Sequence, residues 1–176
     1  MCSSSSFPAT LQASVSLVWA LLGLIRFPLT DCLRCLQQVL SVGYGYCAAV
    51  EEAEPADVEM LFATNVHGPV ELIQRVLPGM REHGSGTMVN VSSIAANVRP
   101  AGSGFYTASK AALEGISGAA LAEEVGPLGI RVIAVEPSGF RTDFAGRSLT
   151  QSEAAISAYA DTAGKRRKEH DRTHGT

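Results

Sequence analysis

Hydrophobic and polar positions divide the 176-residue chain into a Ser- and Leu-rich start to about Val42, a patterned middle from Gly43 to about Leu149, and a polar end from Thr150. In the middle zone Val58, Leu61, Phe62, Asn65, Val66, Val70, Ile73, Val76, Leu77 and Met80 recur every three to four residues. That spacing predicts one face of a long amphipathic helix ending near Arg81. The turn His83-Gly84-Ser85-Gly86 stops it. Thr87 to Val91 is a short apolar run between Gly86 and Ser92 and predicts a buried strand. After a loop through Arg99-Pro100-Ala101-Gly102, the Ala- and Leu-rich stretch from Phe105 to about Val125 predicts a second long helix, closed by Pro127-Leu128-Gly129. Ile130 to Val135 predicts a second buried strand, ended by Pro137. Helix, strand, helix, strand with short links is the order of a parallel sheet with helical crossovers, an α/β class.

Composition narrows the function classes. A chain this long buries one core and not two, so a single domain is expected. With 46% hydrophobic and 18% charged residues it is too apolar for disorder throughout. A formal net charge of −3 gives no overall attraction to nucleic acid. Lys165 to Lys168 is the one dense basic run, read as the solvated face of a C-terminal helix. The cysteines are Cys2, Cys32, Cys35 and Cys47. The Cys32-x-x-Cys35 pair has no second ligand pair and His170 and His174 have no third ligand, so no metal site is expected. Asn90-Val91-Ser92 matches a glycosylation sequon but falls in the buried strand. Val15 to Ile25 is an apolar run about half as long as a bilayer span. It is read as an apolar segment without an export role, with membrane-surface attachment or a cryptic signal as alternatives. A cytoplasmic protein is expected.

Parallel sheets bind ligands at the carboxyl ends of their strands. Ser92 and Ser93 follow the first strand and Glu136-Pro137-Ser138-Gly139 follows the second, so the chemistry is expected between those tips. Tyr106 and Lys110 stand at i and i+4 near the start of the second helix and share one face. An ammonium beside a phenol favours the phenolate and makes the pair a workable acid/base. By itself a Tyr-x-x-x-Lys pair is a weak signal. Ser93, thirteen residues before Tyr106, and Asn65, within the preceding helix, strengthen it.

The ordered set Asn65-Val66-x-Gly68, Asn90-Val91-Ser92-Ser93, Tyr106-Thr107-Ala108-Ser109-Lys110 and Pro137-x-Gly139-x-x-Thr142 resembles the short-chain dehydrogenase/reductase family, over Gly43 to about Leu149. The resemblance implies a Rossmann-like, doubly wound parallel sheet and an oxidoreductase that exchanges hydride between NAD or NADP and a small-molecule ketone or secondary alcohol. It implies Tyr106 as acid/base, Lys110 as the group that lowers its pKa and bonds the nicotinamide ribose, and Ser93 as the residue that orients the substrate oxygen. Asn65 would hold a water behind Lys110. Pro137, Gly139 and Thr142 would line the nicotinamide. Residue by residue, plainer readings stand beside these: Asn65 as a backbone tether, Ser93 as a turn serine, Thr142 as a helix cap before Asp143. His67 is read as a surface or interface residue.

The chain departs from the family pattern in several places. It has no TGxxxGxG, the loop whose amides receive the cofactor diphosphate. Where the family has Asn-Asn-Ala-Gly this chain has Leu40-Ser41-Val42-Gly43, and Pro137-Ser138-Gly139 replaces Pro-Gly. These departures predict a sheet incomplete at both ends, with residues 1–42 an unrelated or degenerate segment, 43–149 the catalytic half and 150–176 a polar tail like a substrate loop. Poor solubility and doubtful turnover follow as expectations. The rival reading is a non-catalytic module whose two long helices bind a full-length paralogue; a homo-oligomer is the other partner expected.

Overall fold

The structure, a computed structural model, describes residues 37–40, 43–138 and 148–173. Its main sheet has three parallel strands in the order β1 (Gln37–Leu40), β3 (Gly86–Val91), β4 (Ile130–Val135). Leu40 stands opposite Asn90, and Asn90 opposite Ala134. A second, two-stranded parallel sheet pairs β2 (Gly45–Cys47) with β5 (Leu149–Gln151). The strand β1 lies within the segment read as unrelated or degenerate, and β5 straddles the boundary set at Thr150.

The first long helix runs as α1 (Pro55–Phe62), a π-turn (Ala63–His67) and α2 (Gly68–His83). Pro55 opens it, where a missing N–H costs nothing, and Gly84 closes it in the left-handed region at φ 65°. The π-turn is absent from the apolar periodicity. Such turns are frequent at functional sites, and this one contains Asn65. After β3 come the short α3 (Ala95–Val98) and the second long helix: α4 (Gly104–Glu114), another π-turn (Gly115–Ala120) and α5 (Leu121–Val125). Gly129, at φ 76°, turns the chain into β4.

The core is built on one face of the sheet. Ile73 and Met80 of α2 and Leu121 and Val125 of α5 pack with Leu40, Met88 and Ile130. β4 was expected to be buried, and it is not: only Ile130 is, while Ile133 and Val135 are 45% and 41% exposed. Side chains alternate across a strand, so Ile133 and Val135 point away from the face that α2 and α5 cover. Among the described residues β4 also has a single strand neighbour. The doubly wound arrangement is therefore present in part, with one face covered.

A second cluster, Tyr46, Ala48, Leu61 and Tyr106, packs where β2, α1 and α4 meet. The polar end folds back onto this region. Ser152 N–H bonds the Cys47 carbonyl, and Ala163, at the start of α6 (Ala163–Thr173), is buried against Gly102. The basic run lies on α6, but Arg167 is not part of a solvated face. Its guanidinium pairs at 2.6 Å with the buried carboxylate of Glu52.

Candidate active site

The strand tips meet as the topology requires. Ser92 N–H donates to the Val135 carbonyl at 2.8 Å, and Ile94 N–H to the Pro137 carbonyl at 3.1 Å. Asn97 Nδ2 donates to Glu136 at 2.7 Å. The loop after β3 thus holds the end of β4, Pro137 included.

Helix α4 crosses this tip with Tyr106, Lys110 and Glu114 spaced four residues apart along one side. The hydroxyl of Ser93 is hydrogen-bonded to that of Tyr106. Ser93 Oγ also accepts the Ala95 N–H at 3.2 Å, which fixes its position in the turn. Lys110 Nζ donates to the Val91 carbonyl at 3.0 Å. Ser92 Oγ donates to the Glu114 carboxylate. Three side chains of one helix therefore engage three consecutive residues, 91 to 93.

Asn65 enters from the π-turn and is wholly buried. Its Nδ2 donates to the Tyr44 carbonyl at 2.9 Å and to Ser109 Oγ at 3.0 Å, and its Oδ1 accepts the Tyr44 N–H at 3.0 Å. Ser109 Oγ in turn donates to the Tyr106 carbonyl at 2.8 Å. A Cβ on Gly43 would stand 2.9 Å from Lys110 Nζ and 3.0 Å from Asn65 Oδ1. Those two polar atoms therefore flank a cradle that a residue with a side chain would fill.

Electrostatics correct one expectation. Tyr106 has a raised pKa, because burial penalises its phenolate more than the Ser93 hydrogen bond favours it. Lys110 was expected to lower that pKa, and it does not dominate. Burial lowers Lys110 itself from 10.5 to about 8, against the opposing pull of Glu114. The site at rest thus holds a neutral phenol beside a lysine poised near neutrality.

Sequence reasoning placed Asn65, Ser93, Tyr106, Lys110 and Pro137 in one region, and the structure brings them together. Gly139 and Thr142 lie outside the described residues, as do Cys2, Cys32, Cys35, the Val15 to Ile25 run and His174. Ser92 was expected at the strand tip and Ser109 within the Tyr106–Lys110 motif, without the partners they take; Glu114 and Tyr44 were not foreseen. For Glu114 the signal was its i+8 spacing from Tyr106. Asn90 is fully buried, which bars glycosylation there, and His67 is exposed. Among the described residues no group of three His, Cys, Asp or Glu side chains could hold a metal, and no helix is long and apolar enough to cross a membrane.

A serine, tyrosine and lysine are gathered at the strand tips of a parallel α/β sheet of Rossmann-like architecture. The short chain dehydrogenase family pattern matches residues 31–153, and the chain belongs to that family. The match begins twelve residues before Gly43 and takes in β1. A 3-ketodihydrosphingosine reductase of Bacteroides thetaiotaomicron is 39% identical over 123 residues, covering 69% of this chain and 45% of the relative. Human retinol dehydrogenase 8 is 34% identical over 130 residues, covering 71% and 42%. A solved short-chain dehydrogenase from Streptomyces avermitilis superposes with a TM-score of 0.70 at 41% identity, over 75% of this chain and 49% of that one. The chain spans about half the length of the curated relatives it matches.

Proposed function

We propose that this chain carries the proton-handling half of an NAD- or NADP-dependent exchange between a ketone and a secondary alcohol. The observation that carries the reading is the Ser93–Tyr106 hydroxyl pair, one helical turn from Lys110. Tyr106 is kept neutral by burial, so it can give a proton to a carbonyl oxygen. Ser93 would hold that oxygen from the other side, since its hydroxyl already lies against Tyr106. A lysine with a pKa of about 8 is still mostly protonated at neutral pH, and its charge offsets the phenolate left by the transfer. Asn65 Oδ1 accepts one hydrogen bond and keeps a second lone pair beside Lys110 Nζ, which suits a water between them.

The residues present fit the nicotinamide ribose end of the cofactor. The donors Tyr106 and Lys110 stand on one helix face, the Gly43 cradle admits no side chain, and Pro137 is held beside the same strand tip. The bound dinucleotide would supply or accept the hydride. The relatives' names, a reductase and a dehydrogenase, span both directions of that exchange. Turnover of a ketone panel with NADH and NADPH tests the reading. Tyr106→Phe should lower it by about 100-fold or more; equal turnover by the two proteins would refute the assignment.

A second reading has its own observation. An apolar groove of about 370 Å³ lies between α2 and the segment from Gly115 to α5, lined by Val70, Ile73, Leu77, Ile116, Ala120 and Leu121. It suits a second copy or a full-length paralogue bound through the two long helices. Partner binding unaffected by Tyr106→Phe, in a chain without turnover, would favour it.

A further inference from the structure

Among the described residues Glu114 is the charged group that bears on Lys110, and the proposed proton transfer gives it no task. It closes α4, two turns beyond Tyr106, and is half-buried. Its carboxylate accepts the Ser92 hydroxyl, and Ser92 lies between the residue whose carbonyl Lys110 grips and the residue that bonds Tyr106. Ser92 is itself buried and is fixed through its N–H to Val135. The strand tip is thus held at three consecutive residues by three side chains of one helix. Displacing the middle one disturbs both others.

We propose that Glu114 is a positioning residue of this site: held by Ser92, its carboxylate orients the strand tip and stays fixed on the helix face it shares with Lys110, one turn away. The proposal rests on the proton-transfer reading above, because a lysine that must stay charged matters only if Tyr106 exchanges protons. The other groups around Lys110 bear it out. Tyr106 faces it from the same helix as a neutral phenol, and the Val91 carbonyl, Gly43 and the Asn65 amide approach it uncharged from β3, the segment before β2 and the π-turn. Burial drives the lysine toward its neutral form, and Glu114 is the group that opposes it. A carboxylate left free to swing into solvent would lose most of its hold on the ammonium, since water screens what a fixed, half-buried geometry does not.

The chain has three lysines, Lys110, Lys165 and Lys168, so Lys110 can be titrated alone by carbon NMR of the whole chain labelled at lysine Cε and assigned with Lys110→Arg. Glu114→Gln keeps an acceptor for Ser92 and removes the charge. It should lower the Lys110 midpoint by up to about one pH unit, the order expected when an opposite charge one helical turn away is lost. Ser92→Ala keeps the charge and removes the clamp, and should lower the midpoint by less. An unchanged midpoint in either variant overturns the proposal, and Ser92→Ala serves alone should Glu114→Gln fail to fold. The readout needs no turnover. Shifted midpoints in a chain that never oxidises NAD(P)H would leave the clamp standing and sink the proposed activity instead.

Discussion

At the scale of single residues the site is a balance between burial and a few fixed hydrogen bonds. Lys110 pays for its position: its folded pKa of about 8 lies below the ordinary 10.5, so the folded state binds the proton less tightly than the unfolded one. Below about pH 8 both states are charged and the penalty is fully present. Between about 8 and 10.5 the unfolded chain holds more protons, and stability rises with pH. The penalty is roughly 3 kcal/mol by linkage. Lys110→Met should therefore be at least as stable as the parent at pH 7 in thermal melts followed by circular dichroism, while abolishing turnover. A variant markedly less stable would contradict the burial argument. Gly43→Ala makes the complementary case, since the added Cβ would press on Lys110 Nζ and Asn65 Oδ1. Turnover should fall at least about tenfold, the scale of a misplaced catalytic group, with little change in melting temperature. Tyr106, Lys110 and Ser93 were legible in the sequence because spacing along a helix and past a strand end fixes direction. Their charge states were not, because burial depends on packing that no local spacing reports. The phenol of Tyr106 is raised for that reason, against the expectation from Lys110 alone.

Among elements, the strongest sequence signals were the helices and strands of the middle zone. The two long helices and β3 and β4 appear where periodicity placed them. The π-turns escaped it, because one extra residue in a turn leaves the apolar repeat nearly unbroken. The fold-back of the polar end was also hidden, since it depends on residues about a hundred positions apart. Burial alone would push the Glu52 carboxyl up, but the N–H groups of Ala49 and Ile156 and the Arg167 guanidinium outweigh it and hold the carboxyl below its ordinary range. A lowered carboxyl pKa adds stability above the ordinary range and loses it as pH falls through the folded value. The attachment of α6 should accordingly loosen in acid. Arg167→Ala should cost roughly 1–3 kcal/mol, because a buried carboxylate loses its counter-charge while keeping the N–H bonds from Ala49 and Ile156. Faster amide exchange across residues 149–173, with β3 unchanged, is the expected signature; uniform exchange would show that the pair does not anchor this arm. Gly129 marks another junction: at φ 76°, an added Cβ would fall 2.3 Å from the Gly84 carbonyl. Gly129→Ala should lose more than about 1 kcal/mol from the left-handed conformation alone.

For the whole molecule, the α/β class was readable because helix, strand, helix, strand admits few other topologies. Coverage of the sheet was not readable. The apolar run Ile130 to Val135 looks buried in sequence, yet Ile133 and Val135 stand on a face that the described residues leave exposed. An apolar strand with one neighbour among the described residues invites pairing with other chains. Light scattering should show concentration-dependent association, and Ile133→Lys should reduce it; a monodisperse parent would contradict this. The central claim is that the crevice formed by Gly43, Ser93, Tyr106, Lys110 and Pro137 receives a nicotinamide although the chain has no TGxxxGxG. Titration of the chain with NADH and with NADPH, followed by nicotinamide fluorescence, tests it most directly. The account predicts saturable binding to at least one of them, weaker by several kcal/mol than a site with a diphosphate loop would give, and weakened further by Lys110→Met. Absence of saturable binding to either, or binding indifferent to Lys110→Met, would contradict it.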